Sequence, residues 1–335
     1  MSLTTVERLM EPLSLALEQR SSGWQDLVSN SNVILHMMQN NDMWQPYSGP
    51  IIRERLVYTQ TGTHVRYKGP DFLSPTTQEV VNDAEFDPKM AAVSVVVTSE
   101  ELLKNDGENQ IIDVLSLHIE VAEGELKDRF VEDLHSAGSL SNQIGGLQKA
   151  IPTDPTTGTY GGISRADNAI WRTNVFDAQS DFSSVTSETA FNATSAYDMM
   201  LKICIDTSRY NDGPDCFVMS PQHYQAYSAS LNNIQRIQKE GGAGGQGFTS
   251  LKFYGAGKSM DCYLEGGIGT AMPSNISYVM HKKALRFRYH PKRNFKKFGG
   301  KQMPINQDMV VQHIGIMGEL TLINPIHMSK LHDSA

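Results

Sequence analysis

Residues 108–136 read ENQIIDVLSLHIEVAEGELKDRFVEDLHS, and within them Ile111, Leu115, Ala122, Leu126, Phe130 and Leu134 recur at spacings of four and seven. That spacing lines one face of a helix. Gly124 lowers the helix propensity of the stretch, and Gly138 follows it as a stop. At 1.5 Å per residue the helix is roughly 40 Å long, more than twice an average one, and long enough to act as a structural spine.

The chain before this spine is organised differently. Leu3, Val6, Met10, Leu13 and Leu17 suggest a short amphipathic helix that Pro12 kinks, and a polar stretch follows with Trp24 and the cluster Val33, Ile34 and Leu35. Residues 1–45 carry too little apolar surface to fold alone and are expected to form an arm that lies against a partner. Residues 46–103 read as an extended loop. IIRERLVYTQ and HVRYK, separated by Thr61, Gly62 and Thr63, predict a long hairpin, and a further β-type run covers Ala92 to Thr98. Between them lies a polar segment carrying Glu79, Asp83, Glu85 and Asp87.

After the spine, a stretch rich in Gly, Pro and Thr leads to Trp171 and Arg172, and residues 104–190 group with the spine. Residues 191–280 read as a compact unit: a helix over Ala196 to Ser208, a strand CFVMS, and a second helix opened by Ser220 as N-cap with Pro221 at its first position. Further strands are expected around Leu251, Tyr278, Leu285, Val310 and Leu320, with residues 281–335 returning to the spine unit. The class is α+β.

Bulk properties exclude several functions. The 335 residues carry a net charge of -8, unlike a global nucleic-acid binder, which is usually basic. Cys204, Cys216 and Cys262 are odd in number and lack CxxC spacing, so they read as buried thiols and not as a disulfide or zinc framework. Glu7, Arg8 and Glu11 interrupt any signal-peptide stretch, and no apolar run reaches the length of a membrane span.

Two glycine patterns resemble nucleotide-binding loops. Gly257, Lys258 and Ser259 end like a phosphate loop, but Lys252 stands where its first glycine is required, and MDCYLE after it reads as a strand. A turn between two strands is the expected reading. Gly242, Gly244 and Gly247 follow a polar stretch where a dinucleotide site needs a strand, and they read as a surface loop. The ten histidines show no metal-ligand spacing. No catalytic, cofactor-binding or metal-binding residue is assigned, and the chain is not expected to be an enzyme.

The strongest charge signal is residues 282–301. Lys282, Lys283, Arg286, Arg288, Lys292, Arg293, Lys296, Lys297 and Lys301 occur there with no acid, interleaved with Phe287, Tyr289, Phe295 and Phe298. This can bind nucleic acid through phosphates and base stacking, or can meet an acidic protein surface. Alternation from Leu285 to Tyr289 predicts a strand with one apolar and one basic face, and Gly299 and Gly300 suggest a hairpin tip.

The order of arm, hairpin, spine and compact α+β unit resembles the major capsid proteins of tailed bacteriophages. The likeness is carried by YKGPDFL (67–73), GGLQKAIP (145–152), GTYGGISR (158–165) with Trp171 and Arg172, and GELTLINP (318–325). It implies an N-terminal arm, an extended loop, a peripheral domain holding the spine helix and an axial domain. It further implies self-assembly into pentamers and hexamers of an icosahedral shell in the bacterial host cytoplasm, around double-stranded DNA held non-specifically. Portal and decoration proteins are implied partners, and no membrane is. No long charged leader follows Met1, so a separate scaffolding protein, or none, is expected. Candidate contacts between subunits are Lys292, Arg293, Lys296 and Lys297 against Glu79, Asp83, Glu85 and Asp87. An encapsulin-like compartment shell and a nucleic-acid-binding module built on residues 282–301 are the alternatives.

Overall fold

The computed structural model describes residues 33–57, 64–69, 81–100, 108–209, 212–231, 250–255, 257–266, 272–302 and 308–333. In chain order these form α1 (Val33–Asn40), β1 (Trp44–Pro46), β2 (Ile52–Val57), β3 (Val81–Phe86), β4 (Lys89–Thr98), α2 (Glu108–His135), α3 (Leu147–Ala150), β5 (Thr159–Tyr160), β6 (Ile163–Ser164) and β7 (Asn174–Asp177). There follow α4 (Ala196–Thr207), β8 (Cys216–Met219), α5 (Pro221–Ser230), β9 (Leu251–Gly255), β10 (Lys258–Leu264), β11 (Ile276–Met280), β12 (Leu285–Tyr289), β13 (Lys296–Gln302), β14 (Met309–Leu322) and β15 (Ser329–His332).

Two sheets carry the fold. In the first, β14 is central: β4 pairs along one edge, β12 and β13 share the other, and β1 lies parallel to β12. The expected spine is present as α2, and its buried Ile119, Leu126, Phe130 and Leu134 pack on the inner face of this sheet. Phe130 meets Phe287 edge to face at 5.3 Å, and Trp44 stacks on Phe287 at 4.6 Å. Such aromatic pairs are favourable beyond the area they bury.

The second sheet runs β7-β15-β11-β8-β10-β9. One face packs with α4 and α5 in a separate core containing Phe182, Met199, Phe217 and Phe253. Its opposite face, with Val218 and Tyr278, joins the core of the first sheet. All three cysteines are buried and free, as expected. Burial pushes the Cys204 and Cys216 thiols up to about 12.

Several expectations are corrected. The arm does not extend to residue 45. Ile34, Leu35, Met37 and Met38 are fully buried, and Trp44 completes the aromatic core, so residues 33–46 belong to the body. Residues 1–32 lie outside the described residues. HVRYK is not the second strand of the hairpin: residues 64–68 form no strand, and β2 pairs instead with β3, with Ile52 opposite Phe86 and Leu56 opposite Asn82. The acids of VNDAEF alternate with apolar Ala84 and Phe86, which is strand patterning that their charge obscured. The second sheet also takes β7 and β15, from segments grouped above with the spine.

Candidate intersubunit surface

The ribbon of β2 and β3 has two unlike faces. Ile52, Glu54, Leu56, Ala84 and Phe86 are buried, while Arg53, Arg55, Asp83 and Glu85 face out. Register sets Arg53 opposite Glu85 and Arg55 opposite Asp83, and Arg53 bridges Glu85 at 2.9 Å. Asp87 is bridged at 2.8 Å by Lys89. The expected contact acids Glu85 and Asp87 thus have partners within their own chain, through exposed pairs that are worth about 0–1 kcal/mol each and exchange readily. Glu79 lies outside the described residues.

The base of the ribbon is held by a buried polar cluster that the sequence reading did not single out. Glu54 accepts hydrogen bonds from Arg288 Nε at 2.5 Å and Nη2 at 3.0 Å, and from the Thr321 hydroxyl at 3.2 Å; Arg286 stands 3.8 Å away. A bidentate guanidinium is what a carboxylate removed from water requires. The signal was present in IIRERLV, where Glu54 occupies the apolar phase between Ile52 and Leu56.

GTYGGISR clamps the other side of the ribbon. Gly161 and Gly162 turn with positive φ between β5 and β6, and the Gly161 carbonyl accepts the Glu85 N–H at 2.9 Å. A Cβ on Gly161 would fall 2.8 Å from the Phe86 ring. Tyr160 meets Phe86 edge to face and donates its hydroxyl to the Leu320 carbonyl, while Trp171 Nε1 donates to the Tyr160 carbonyl. Arg165 donates to the carbonyls of Lys149 and Ala150, which ties this turn to α3.

Beside this cluster Glu319 is almost fully buried. Its Oε1 accepts the Gly145 N–H at 3.0 Å and lies 3.5 Å from Lys149 Nζ. Burial pushes its carboxyl up to about 7, against the opposing pull of Lys149.

The expected basic hairpin tip is not a tip. β12 and β13 run in succession along the same edge of β14, and residues 290–295 between them form a bulge held by His290 N to the Met317 carbonyl and Met317 N to the Arg293 carbonyl. Phe295, at φ 50°, turns inward and stacks on Trp44 at 6.2 Å. Gly299 sits within β13, at a shift of register, and not at a turn between strands. Lys292 remains exposed on the bulge and Lys296 at the start of β13, with Lys297 half-buried, and the Arg293 guanidinium lies 4.2 Å from the Phe298 ring centroid.

These positions count against base stacking. Phe287 and Phe295 are core residues, Arg286 and Arg288 face Glu54, and Lys282 lies 3.6 Å from Asp261. Gly257, at φ 76°, forms the turn between β9 and β10, as its strand-like flanks predicted. The glycines 242, 244 and 247 lie outside the described residues. Among the described residues, no group of three or more His, Cys, Asp or Glu is placed to hold a metal ion, and no helix is long and apolar enough to cross a membrane.

A sheet backed by a long spine helix, a two-stranded ribbon packed on its other face and a second sheet domain woven through discontinuous segments together make the subunit fold of tailed-phage capsids. Solved structures give the particular likeness. The chain superposes on the capsid asymmetric unit of cyanophage A-1(L) with a TM-score of 0.66 and 15% identity, covering 90% of this chain and 92% of that one. The capsid of the native GTA particle gives 0.56 at 9% identity over 89% and 90%, and that of the empty GTA particle 0.54 at 11% over 89% and 90%. No protein-family model and no curated protein matches the sequence.

Proposed function

We propose that this chain is the major capsid protein of a tailed bacteriophage, a structural subunit and not an enzyme. It self-assembles into the pentamers and hexamers of an icosahedral head enclosing double-stranded DNA, and does so in the bacterial host cytoplasm. The observation that carries this reading is the fold likeness to the cyanophage capsid subunit, which runs over nine-tenths of both chains. The ribbon supports it: a two-stranded element is marginal alone, and its charged outward face suits contact with a neighbour. Heterologous contacts of this type close into rings when the rotation permits. In this reading the first sheet with α2 is the peripheral domain, and the second sheet with α4 and α5 is the axial domain. Portal, decoration and separate scaffolding proteins are its further partners.

Expression of the chain alone, followed by negative-stain microscopy across protein and salt concentrations, tests the reading. Closed shells or capsomer rings are expected. A persistently monomeric protein, with and without a co-expressed scaffold, would sink it.

A further inference from the structure

The outer face of the first sheet carries a line of side-chain contacts that crosses three strands. On β4, Met90 stands opposite Met317 of β14, and the bulge is pinned to that same residue, Met317 N donating to the Arg293 carbonyl. Met90, Met317 and Arg293 therefore form one row across the sheet. Arg293 reaches along it: its guanidinium carbon lies 4.2 Å from the Phe298 ring centroid, and its Nη1 lies 2.9 Å from Met90 Sδ. Phe298 in turn stacks on His313, whose Nδ1 is 2.8 Å from the Ser94 hydroxyl oxygen. The line ends at Met90, which is 55% exposed.

The partners of the guanidinium are chemically incomplete. Its five N–H donors find their strong acceptors in carboxylate or carbonyl oxygens, and a thioether sulfur is a weak one. Among the described residues the Arg293 side chain meets a ring face and a sulfur, and no oxygen accepts from it. An oxygen added to Met90 Sδ would stand beside an N–H that already points at the sulfur. Accessibility singles out the same residue: among the described methionines Met309 and Met317 are half-buried and the others, apart from Met90, are buried.

We propose that Met90 is a site of reversible oxidation by hydroperoxides, and that Arg293 is the positioning residue that holds the resulting sulfoxide. In the step, a lone pair of Sδ attacks one oxygen of the hydroperoxide, and the S–O bond forms as the O–O bond breaks. Sulfur is oxidised by two electrons, and the other oxygen leaves as water or an alcohol after taking the proton of the oxygen transferred. The guanidinium donates to the leaving oxygen and then to the sulfoxide oxygen. A sulfoxide disrupts a methionine packed in an apolar core; at Met90, on the surface, it gains a charged donor instead. The oxidised side chain ties the bulge to β4 and draws Arg293, one of the candidate contact cations, towards the sheet. The proposal is independent of the shell reading, since none of its measurements requires particles.

Treatment of the full-length chain with dilute hydrogen peroxide, followed by mass mapping of its peptides, tests the site. Met90 should oxidise about tenfold faster than the half-buried Met309 and Met317, and a methionine sulfoxide reductase should return it to the thioether. Equal rates at the three residues would overturn the assignment. Exposure alone gives the same order, so the role of Arg293 is read separately, from melting temperatures before and after oxidation. Met90→Leu, treated alike, subtracts the effect of the other methionines. Oxidation of Met90 should then leave the natural protein unchanged or raised in melting temperature, and Arg293→Lys close to it. It should lower Arg293→Ala by about 2–4 °C, because the partly covered oxygen lacks its donor there. An equal change in the natural protein and in Arg293→Ala would overturn the role given to Arg293.

Discussion

Glu319 and Glu54 are two buried carboxylates a few residues apart in space, and their surroundings give them different consequences. Arg288 satisfies Glu54 bidentately. Changing Arg288 to Met strands the carboxylate and should destabilise the protein by about 3–5 kcal/mol, towards the lower end because Arg286 remains near. Adding Glu54→Leu should restore most of that loss, which denaturant titration of the three variants measures. Among the described residues Glu319 faces a partly exposed Lys149 and the Gly145 N–H, and burial raises its carboxyl to about 7. A raised carboxyl makes the folded state bind the extra proton between the unfolded value near 4.5 and about 7, so stability falls as pH rises through that window. Tenfold in proton affinity is about 1.4 kcal/mol, which sets the effect on the order of 3–4 kcal/mol. His223 works in the opposite sense: burial lowers it to about 4, so its contribution is present above pH 6.5 and is lost on acidification. The Glu319→Gln variant isolates the first effect. Its melting temperature relative to the natural protein should rise from pH 4.5 to pH 8, and a constant difference would show that Glu319 does not titrate in that range.

At the scale of elements, the boundary of the arm is the most consequential correction. Ile34, Leu35, Met37, Met38 and Trp44 are buried, and each such side chain contributes roughly 1.5–3 kcal/mol, against a total stability of about 5–15 kcal/mol. Removal of residues 1–32 should therefore leave a soluble chain that unfolds cooperatively but builds no shell. Removal of residues 1–46 should abolish folding, as circular dichroism would report. The spine, α4, β8 and α5 were legible because periodicity and the proline at the first position of α5 act locally, although Ser220 holds the N-cap position without a side-chain capping bond. The ribbon was misread because its partner strand lies beyond a long connection, and Asp83 and Glu85 hid the alternation that Ala84 and Phe86 carry. The bulge was misread for a related reason. Nothing near Phe295 reveals that Trp44, some 250 residues earlier, completes its pocket. The candidate contact residues on and beside the bulge and on the ribbon rest on charge alone, whereas Glu54 required noticing a charge in an apolar phase.

For the whole molecule, the distribution of charge matters more than its net value of -8. Lys292 and Arg293 on the bulge and Lys296 and Lys297 at the start of β13 gather together, while Asp83, Glu85 and Asp87 lie on or beside the ribbon. In a closed shell, symmetry repeats both features at every contact. Cationic bulges brought together repel one another, so a neighbour's acids are the natural counter-charge. The bridges of Glu85 to Arg53 and of Asp87 to Lys89 do not prevent this, because exposed pairs of such small worth can exchange partners as subunits meet. Lys296→Glu with Lys297→Glu should accordingly lower assembly yield. Adding Glu85→Lys and Asp87→Lys should restore it only in part, since lysine at 85 faces Arg53 across the ribbon. Assembly of the natural protein should weaken as salt rises, because at 1 M the screening length falls to about 3 Å. Yield measured by sedimentation over a salt series checks all three outcomes. Full, salt-independent assembly of the first variant would remove these lysines from the contact and leave them to the solvent or to a nucleic acid.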